Sequence, residues 1–117
     1  MREAIDFNRK TAYIIFVERM ESENIGMSDI QFEWDEEKER KNIRKHGITF
    51  NIARRVFDDP YRVEIYDEEH SSEEDRYNTI GMVNDILFVV YTERRNNIRI
   101  ISARIATPEE RSFYYGD

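Results

Sequence analysis

Apolar and polar positions alternate legibly from residue 30 onward, where each apolar run has its own start and stop. Before that, MREAIDFNRKTAYIIFVERMESENIG holds one apolar knot, Tyr13–Val17, in a polar text without a clear period. The chain therefore divides into an N-terminal extension of uncertain role, 1–29, and a domain, 30–117, with Met27 at the seam. Phe32–Trp34 is apolar at alternate positions and predicts a short edge strand. Asp35 reads as an N-cap, with Glu36 and Glu37 in a first turn where the helix dipole favours anions. The helix EEKERKNIRKH runs to Gly47, a residue suited to the left-handed position after a helix. A second helix is expected over Phe50–Phe57, where Ala53, Val56 and Phe57 recur at helical spacing, and Pro60 ends it.

Four strands follow by pattern, at about Arg62–Tyr66, Arg76–Val83, Ile86–Glu93 and Ile98–Ile105. Asn84-Asp85 and Asn96-Asn97 are the expected tight turns, because Asn and Asp tolerate positive φ. Connections this short make the last three strands an antiparallel meander. Thr107-Pro108-Glu109-Glu110 is a capping box with proline at its first helical position, opening a short helix through Tyr115. The order predicts an α+β fold. Its helices should cover one face of a mostly antiparallel sheet and leave the other exposed or partnered.

The last strand, RIISARI, poses the first chemical question. Strict alternation sends Arg99, Ile101, Ala103 and Ile105 to one face, facing the helices, and Ile98, Ile100, Ser102 and Arg104 to the other. A guanidinium in mid-strand stands in water, pairs with a carboxylate, or awaits an anion. Periodicity leaves all three open.

Composition narrows the setting. A chain of 117 residues, 39% hydrophobic and 37% charged, makes one domain with a modest core and a highly solvated surface. The absence of cysteine excludes a disulfide scaffold and thiolate metal sites, and fits a reducing cytosol. Tyr13–Val17 is far short of the roughly 20 residues a membrane span needs. It also lacks a small-residue cleavage site, so a soluble cytoplasmic protein without membrane attachment is expected. The net charge of −7 argues against a nucleic-acid partner only until its distribution is read. Residues 60–86 hold two basic and eight acidic side chains, a balance of −6, mostly in EIYDEEHSSEED. Residues 31–59 balance seven against seven and residues 87–117 come to +1, which leaves room for a basic patch.

Both histidines carry alternatives. His70, among carboxylates that favour its protonated form, suits a general acid or phosphate contact, or is a solvated loop residue. His46 suits a helix C-terminus, where the dipole favours a cation, or RNA contact together with Lys45. Two histidines 24 residues apart, without cysteine, make a poor zinc site. Asp58, Asp59 and Glu64 could hold magnesium, but Asp58-Asp59-Pro60 is also ordinary helix-stop chemistry. The acidic loop lacks the glycine and ligand spacing of an EF-hand, and suits a solvated loop or the docking of a basic partner.

FEWDEEK, NIRKHGITF, the spaced ARRVFDD, DEEH followed by EDRY, VVYTER, and RIISARIATPEER with its terminal FYY together resemble the BrnT family of type II toxins. Their order and spacing are the specific feature, over residues 32–114. Residues 1–26 depart from the resemblance, since such proteins begin shortly before the FEW strand. The resemblance implies a RelE-like fold and a metal-independent endoribonuclease that needs no cofactor and inhibits translation and growth. It implies neutralisation by a BrnA-type DNA-binding antitoxin, in a heterotetramer. Cleavage without a metal must activate the 2′-hydroxyl, stabilise the phosphorane and protonate the leaving 5′-oxygen. Arg76 and Arg104 are the first candidates for the middle task, then Arg99. His70 and Tyr114 are candidates for proton transfer, Tyr114 also for base stacking, and Lys45, His46, Arg94 and Arg95 for RNA binding. The alternative is a non-catalytic protein-interaction or nucleic-acid-binding module.

Overall fold

The Asp35 carboxylate accepts from the backbone N–H groups of Glu37 and Lys38 at 2.8 and 3.0 Å, and so starts the first helix. In the computed structural model, which describes residues 30–116, that helix (α1, Glu36–His46) closes on Gly47 at φ 72°. The expected extension over 1–29 lies outside the described residues. Thr49 caps α2 (Phe50–Ala53), and Glu39 of α1 also accepts from the Phe50 N–H, at 2.8 Å. The second helix is α-helical only to Ala53 and tightens into a 3₁₀ turn over Arg54–Asp58. A tightened last turn is a common way to bring terminal backbone groups into hydrogen bonds.

The strands β1 (Gln31–Glu33), β2 (Val63–Tyr66), β3 (Arg76–Val83), β4 (Asp85–Arg94) and β5 (Asn97–Ile105) form one sheet, ordered β1-β5-β4-β3-β2. Only β1 runs parallel to its neighbour, β5, and it sits at the edge. The last helix, α3 (Pro108–Tyr115), opens on the capping box formed by Thr107 and Glu110. This is the expected α+β architecture. Asn84 takes the positive φ foreseen for the first hairpin, 64°. The second hairpin turns one residue earlier than expected: Arg94 pairs with Asn97, and Arg95 holds the positive φ, 58°.

One irregularity decides where the last strand points. Tyr91 pairs with Ile100 while its neighbour Val90 pairs with Ser102, so Ile101 is an extra residue in β5. Directly opposed residues share a sheet face. Ile98, Ile100 and Ala103 therefore join Leu87, Val89 and Tyr91 in the main core, under Phe50, Ala53, Val56 and Phe57. Arg99, Ser102 and Arg104 share the opposite face with Thr92, Val90 and Phe88. The strict alternation read from the sequence is thus corrected, because the bulge reverses it midway.

In the core, the 3₁₀ turn lies directly on β3. A Cβ at Gly81 would stand 2.6 Å from Val56 Cγ1, so only glycine permits that approach. Glu64 is buried there, accepting from Arg62 Nε at 3.1 Å and the Tyr91 hydroxyl at 2.7 Å. Burial pushes its carboxyl above the ordinary range, against the pull of Tyr91 and Arg62. On the opposite face, Phe113 and Tyr114 of α3 pack with Val63, Ile80, Ile86 and Phe88. The expectation of one bare face is corrected accordingly: α3 covers one end of it. Among the described residues no helix is long and apolar enough to cross a membrane.

Beside the bulge, β1 protects β5 only from Asn97 to Arg99. Farther along that edge, Asn42 of α1 takes the place of a strand. Its Oδ1 accepts from the Ala103 N–H at 3.1 Å, and its Nδ2 donates to the carbonyls of Ala103 and Ile48 at 2.8 and 3.0 Å. Each buried donor or acceptor left unpaired costs about 1–3 kcal/mol. Asn42→Ala should therefore lower the urea-derived stability by about 2–4 kcal/mol. Lys41→Ala removes an exposed pair with Glu37 at 3.8 Å and should cost about 0.5 kcal/mol or less. Comparable small losses in both variants would show that the clamp does not hold the edge.

Candidate active site

Among the described residues, the end of the second face that no helix covers is arranged in rows by the register of the sheet. Arg76 pairs with Thr92, Thr92 with Arg99, and Arg99 with Glu33, so these four form one row across β3, β4, β5 and β1. The next row is Ile65, Asn78, Val90 and Ser102; the one after is Val63, Ile80, Phe88 and Arg104, where α3 begins to cover the sheet. With strands about 4.8 Å apart, the Arg76 and Arg99 backbones are roughly 10 Å apart. Two guanidinium groups reaching inward from that separation can grip one phosphate. In the second row the Asn78 carboxamide oxygen is buried without a hydrogen-bond partner among the described residues.

Arginines on this face differ in what already holds them. Arg104 forms a two-pronged pair with Glu110, Nη1–Oε1 2.7 Å and Nη2–Oε2 2.9 Å, and its guanidinium lies 4.3 Å from the Phe88 ring centroid. Of the three fates open to it in the sequence, the structure shows the carboxylate pair. Arg99 Nη1 donates to Glu33 Oε2 at 3.1 Å. Arg94 stands one step beyond Thr92 on the same face and meets Glu74 at 3.8 Å, with both side chains substantially exposed. Arg76 has no carboxylate partner among the described residues.

His70 lies in the loop joining β2 to β3, beside this row. The Ser71 hydroxyl donates to the Asp67 carbonyl at 2.5 Å and accepts from the Arg76 N–H at 2.9 Å, which staples the loop to the start of β3. The Asp67 carboxylate meets His70 Nδ1 at 2.9 Å. Such a contact fixes the ring and leaves Nε2 for another partner. Thr92 closes the loop from below by donating to the Asp75 carbonyl at 2.6 Å.

Tyr114 sits on α3, and its hydroxyl donates to Asp59 Oδ2 at 2.7 Å. Burial and that carboxylate push its phenol up to about 12, which opposes a proton-donating role near neutrality. Lys45 and His46 end α1, which is tied to α2 on the core side of the sheet, so the structure does not bring them to the arginine row. Arg95 is at the exposed β4–β5 turn. Of the three carboxylates weighed as magnesium ligands, Glu64 faces the core and Asp59 receives Tyr114, Met82 and Tyr61. Sequence reasoning missed Glu33 and Thr92. Their places depend on pairing partners, although the alternation in Phe32-Glu33-Trp34 already separates Glu33 from its apolar neighbours.

A family model described as the ribonuclease toxin BrnT of type II toxin–antitoxin systems matches residues 34–110. Among solved structures, the Brucella abortus ribonuclease toxin BrnT is similar, with a TM-score of 0.51 at 25% identity. The match covers 67% of this chain and 97% of that one. No curated protein matches the sequence.

Two carboxylates fasten α3 over its end of the site. Burial opposes the charge on Asp59, but hydrogen bonds from Tyr114, Met82 and Tyr61 outweigh it and hold the carboxyl below its ordinary range. Burial likewise opposes the charge on Glu110, and Arg104 with the Thr107 N–H outweighs it. Both folded values are depressed, so this stability is present above the unfolded carboxylate range of about 4 and is lost as pH falls through the folded values. Below about pH 4 the near-ultraviolet dichroism from Tyr114 and Tyr115 should fade before the far-ultraviolet signal of the sheet. An Asp59→Asn, Glu110→Gln variant should lack that early step. Loss of both signals together in the wild type would count against separate fastening of the helix.

Proposed function

The chain belongs to the family of BrnT ribonuclease toxins of type II toxin–antitoxin systems, and we propose that it cuts RNA without a metal ion at the row formed by Arg76, Thr92 and Arg99. The observation that carries this reading is the pair of arginines on one sheet face, at a spacing that suits one phosphodiester, with Arg76 unpaired by any described carboxylate. Their planar forks match the equatorial oxygens of a phosphorane, where negative charge grows most. His70 acts as the acid for the leaving 5′-oxygen, with Asp67 orienting its ring. Arg94 and Arg95 hold the backbone of the RNA strand where it leaves the row.

Arg104 and Tyr114 have supporting parts in this reading. Glu110 and Asp59 hold their polar ends, so they fasten α3 as the wall that ends the groove. The family implies a cognate antitoxin. We take it to be a BrnA-type DNA-binding protein that covers the uncovered end of the sheet, in a heterotetramer built on an antitoxin dimer. Blocking the row by contact would neutralise the toxin without unfolding it.

The test is cleavage of RNA in chelator, with product ends identified as 2′,3′-cyclic phosphate and 5′-hydroxyl. Arg76→Ala and Arg99→Ala should each lose about 10²–10³ in rate, roughly 3–4 kcal/mol of transition-state stabilisation, at little change in melting temperature. Arg104→Ala should lower the melting temperature and reduce cleavage only in proportion to the folded fraction. RNA that is bound but left intact in chelator, and cut on adding magnesium, would overturn the metal-independent reading. RNA left intact in both would favour a binding module.

A further inference from the structure

We propose that Glu33 is the general base of this site, removing the proton from the attacking 2′-hydroxyl. The inference rests on reading the arginine row as a ribonuclease site and assigns its missing function. The fold delivers Glu33 there by simple alternation. Phe32 packs against Phe57 with ring centroids 5.3 Å apart, and Trp34 meets Phe50 edge-on at 5.9 Å. With both neighbours anchored in the core, the side chain between them projects from the opposite face. Parallel pairing to β5 then sets Glu33 beside Arg99, at the end of the row.

Glu33 also has a free oxygen. Its Oε2 accepts from Arg99 at 3.1 Å, while Oε1 has no partner among the described residues, and the side chain is 35% exposed. Several other carboxylates near this face already have partners. Glu110 uses both oxygens on Arg104 and one of them also on the Thr107 N–H. Asp59 holds Tyr114, Asp67 holds His70, Asp75 accepts from Tyr66, and Glu74 faces Arg94. Glu33, paired with Arg99 at the β1 end of the row, is placed to touch substrate, and Arg99 bridges it to the phosphate.

The row then has the order base, arginine, arginine, acid, running from Glu33 through Arg99 and Arg76 to the His70 loop. That order suits an in-line displacement, with the entering 2′-oxygen towards β1 and the leaving 5′-oxygen towards β3. Glu33 takes the 2′-hydroxyl proton as the new 2′-oxygen–phosphorus bond forms. The phosphorus–5′-oxygen bond breaks, and the departing oxygen takes a proton from His70. The products are a 2′,3′-cyclic phosphate and a 5′-hydroxyl. Solvent then removes the proton from Glu33 and restores that of His70.

The experiment measures single-turnover cleavage of a defined RNA in chelator across pH, for wild type, Glu33→Gln and Glu33→Asp. Affinity for the same RNA with 2′-O-methyl groups is measured alongside. Glu33→Gln should lose about 10²–10⁴ in rate, keep its affinity for the methylated RNA, and lose the fall in rate on the acid side of the profile. Glu33→Asp should recover part of the rate and restore that acid-side fall. If Glu33 only positions Arg99, the glutamine variant will lose affinity and rate together or keep the acid-side fall, and either result overturns the inference. If wild type itself leaves RNA uncut, the reading of the row fails, a result distinct from active wild type with an active glutamine variant.

Discussion

The extra residue at Ile101 is the constraint on which the site depends. An unbulged β5 cannot place Ile98, Ile100 and Ala103 in the core while keeping Arg99 and Arg104 together on the other face, since three steps separate Ile100 from Ala103. The bulge absorbs the odd step. It therefore lets one strand serve a packed face along its whole length and a polar face along the same length. The cost is local loss of ladder hydrogen bonding, and Asn42 stands two residues away, closing the open edge at Ala103. The α1 carboxamide thus secures the strand just past its irregularity, and β1 secures it just before.

From that arrangement follows a division of labour among the arginines. Arg104 faces Phe88 and the glutamate that also caps α3, so its charge is spent on one compact junction of strand, cap and helix. Arg99 is bound to one carboxylate oxygen and remains partly exposed. Arg76, at the opposite end of the row, meets no described carboxylate. In the proposed mechanism Arg76 holds the phosphate together with the Arg99 fork two strands away. Much of the chain's net charge of −7 lies in the 60–86 segment, whose acidic loop adjoins Arg76, so the arginines must attract a phosphate against that local charge.

Much of the fold was legible because it is written in local signals. Asp35, Gly47, Thr107 and Pro108 mark helix ends by capping chemistry, and the alternation from Arg76 to Arg94 marks the hairpin strands. The site was legible only in part. Arg76 and Arg99 were identifiable as candidates, but the facing of Arg99 depends on a pairing slip between β4 and β5 that no single strand reveals. Arg104 shows the same limit: its i+6 relation to Glu110 crosses a strand end and a helix cap, and becomes a contact only when α3 folds back. Glu33 acquires its neighbours through a parallel pairing across more than sixty residues of chain. The second turn was misplaced because Asn96 and Asn97 look better suited to positive φ than Arg95, yet β4–β5 register selects Arg95.

The central claim is that RNA engages the uncovered end of the sheet, on the face that Arg76 and Arg99 share. Nuclear magnetic resonance with uniformly labelled protein and a 2′-O-methyl RNA tests it directly, since the RNA binds without being cut. The largest shifts should fall on Arg76, Thr92, Arg99 and Ser102, with slowed exchange of the Arg76 and Arg99 side-chain N–H protons. Shifts confined to Lys45, His46 and the rest of α1, with that row unmoved, would contradict the account.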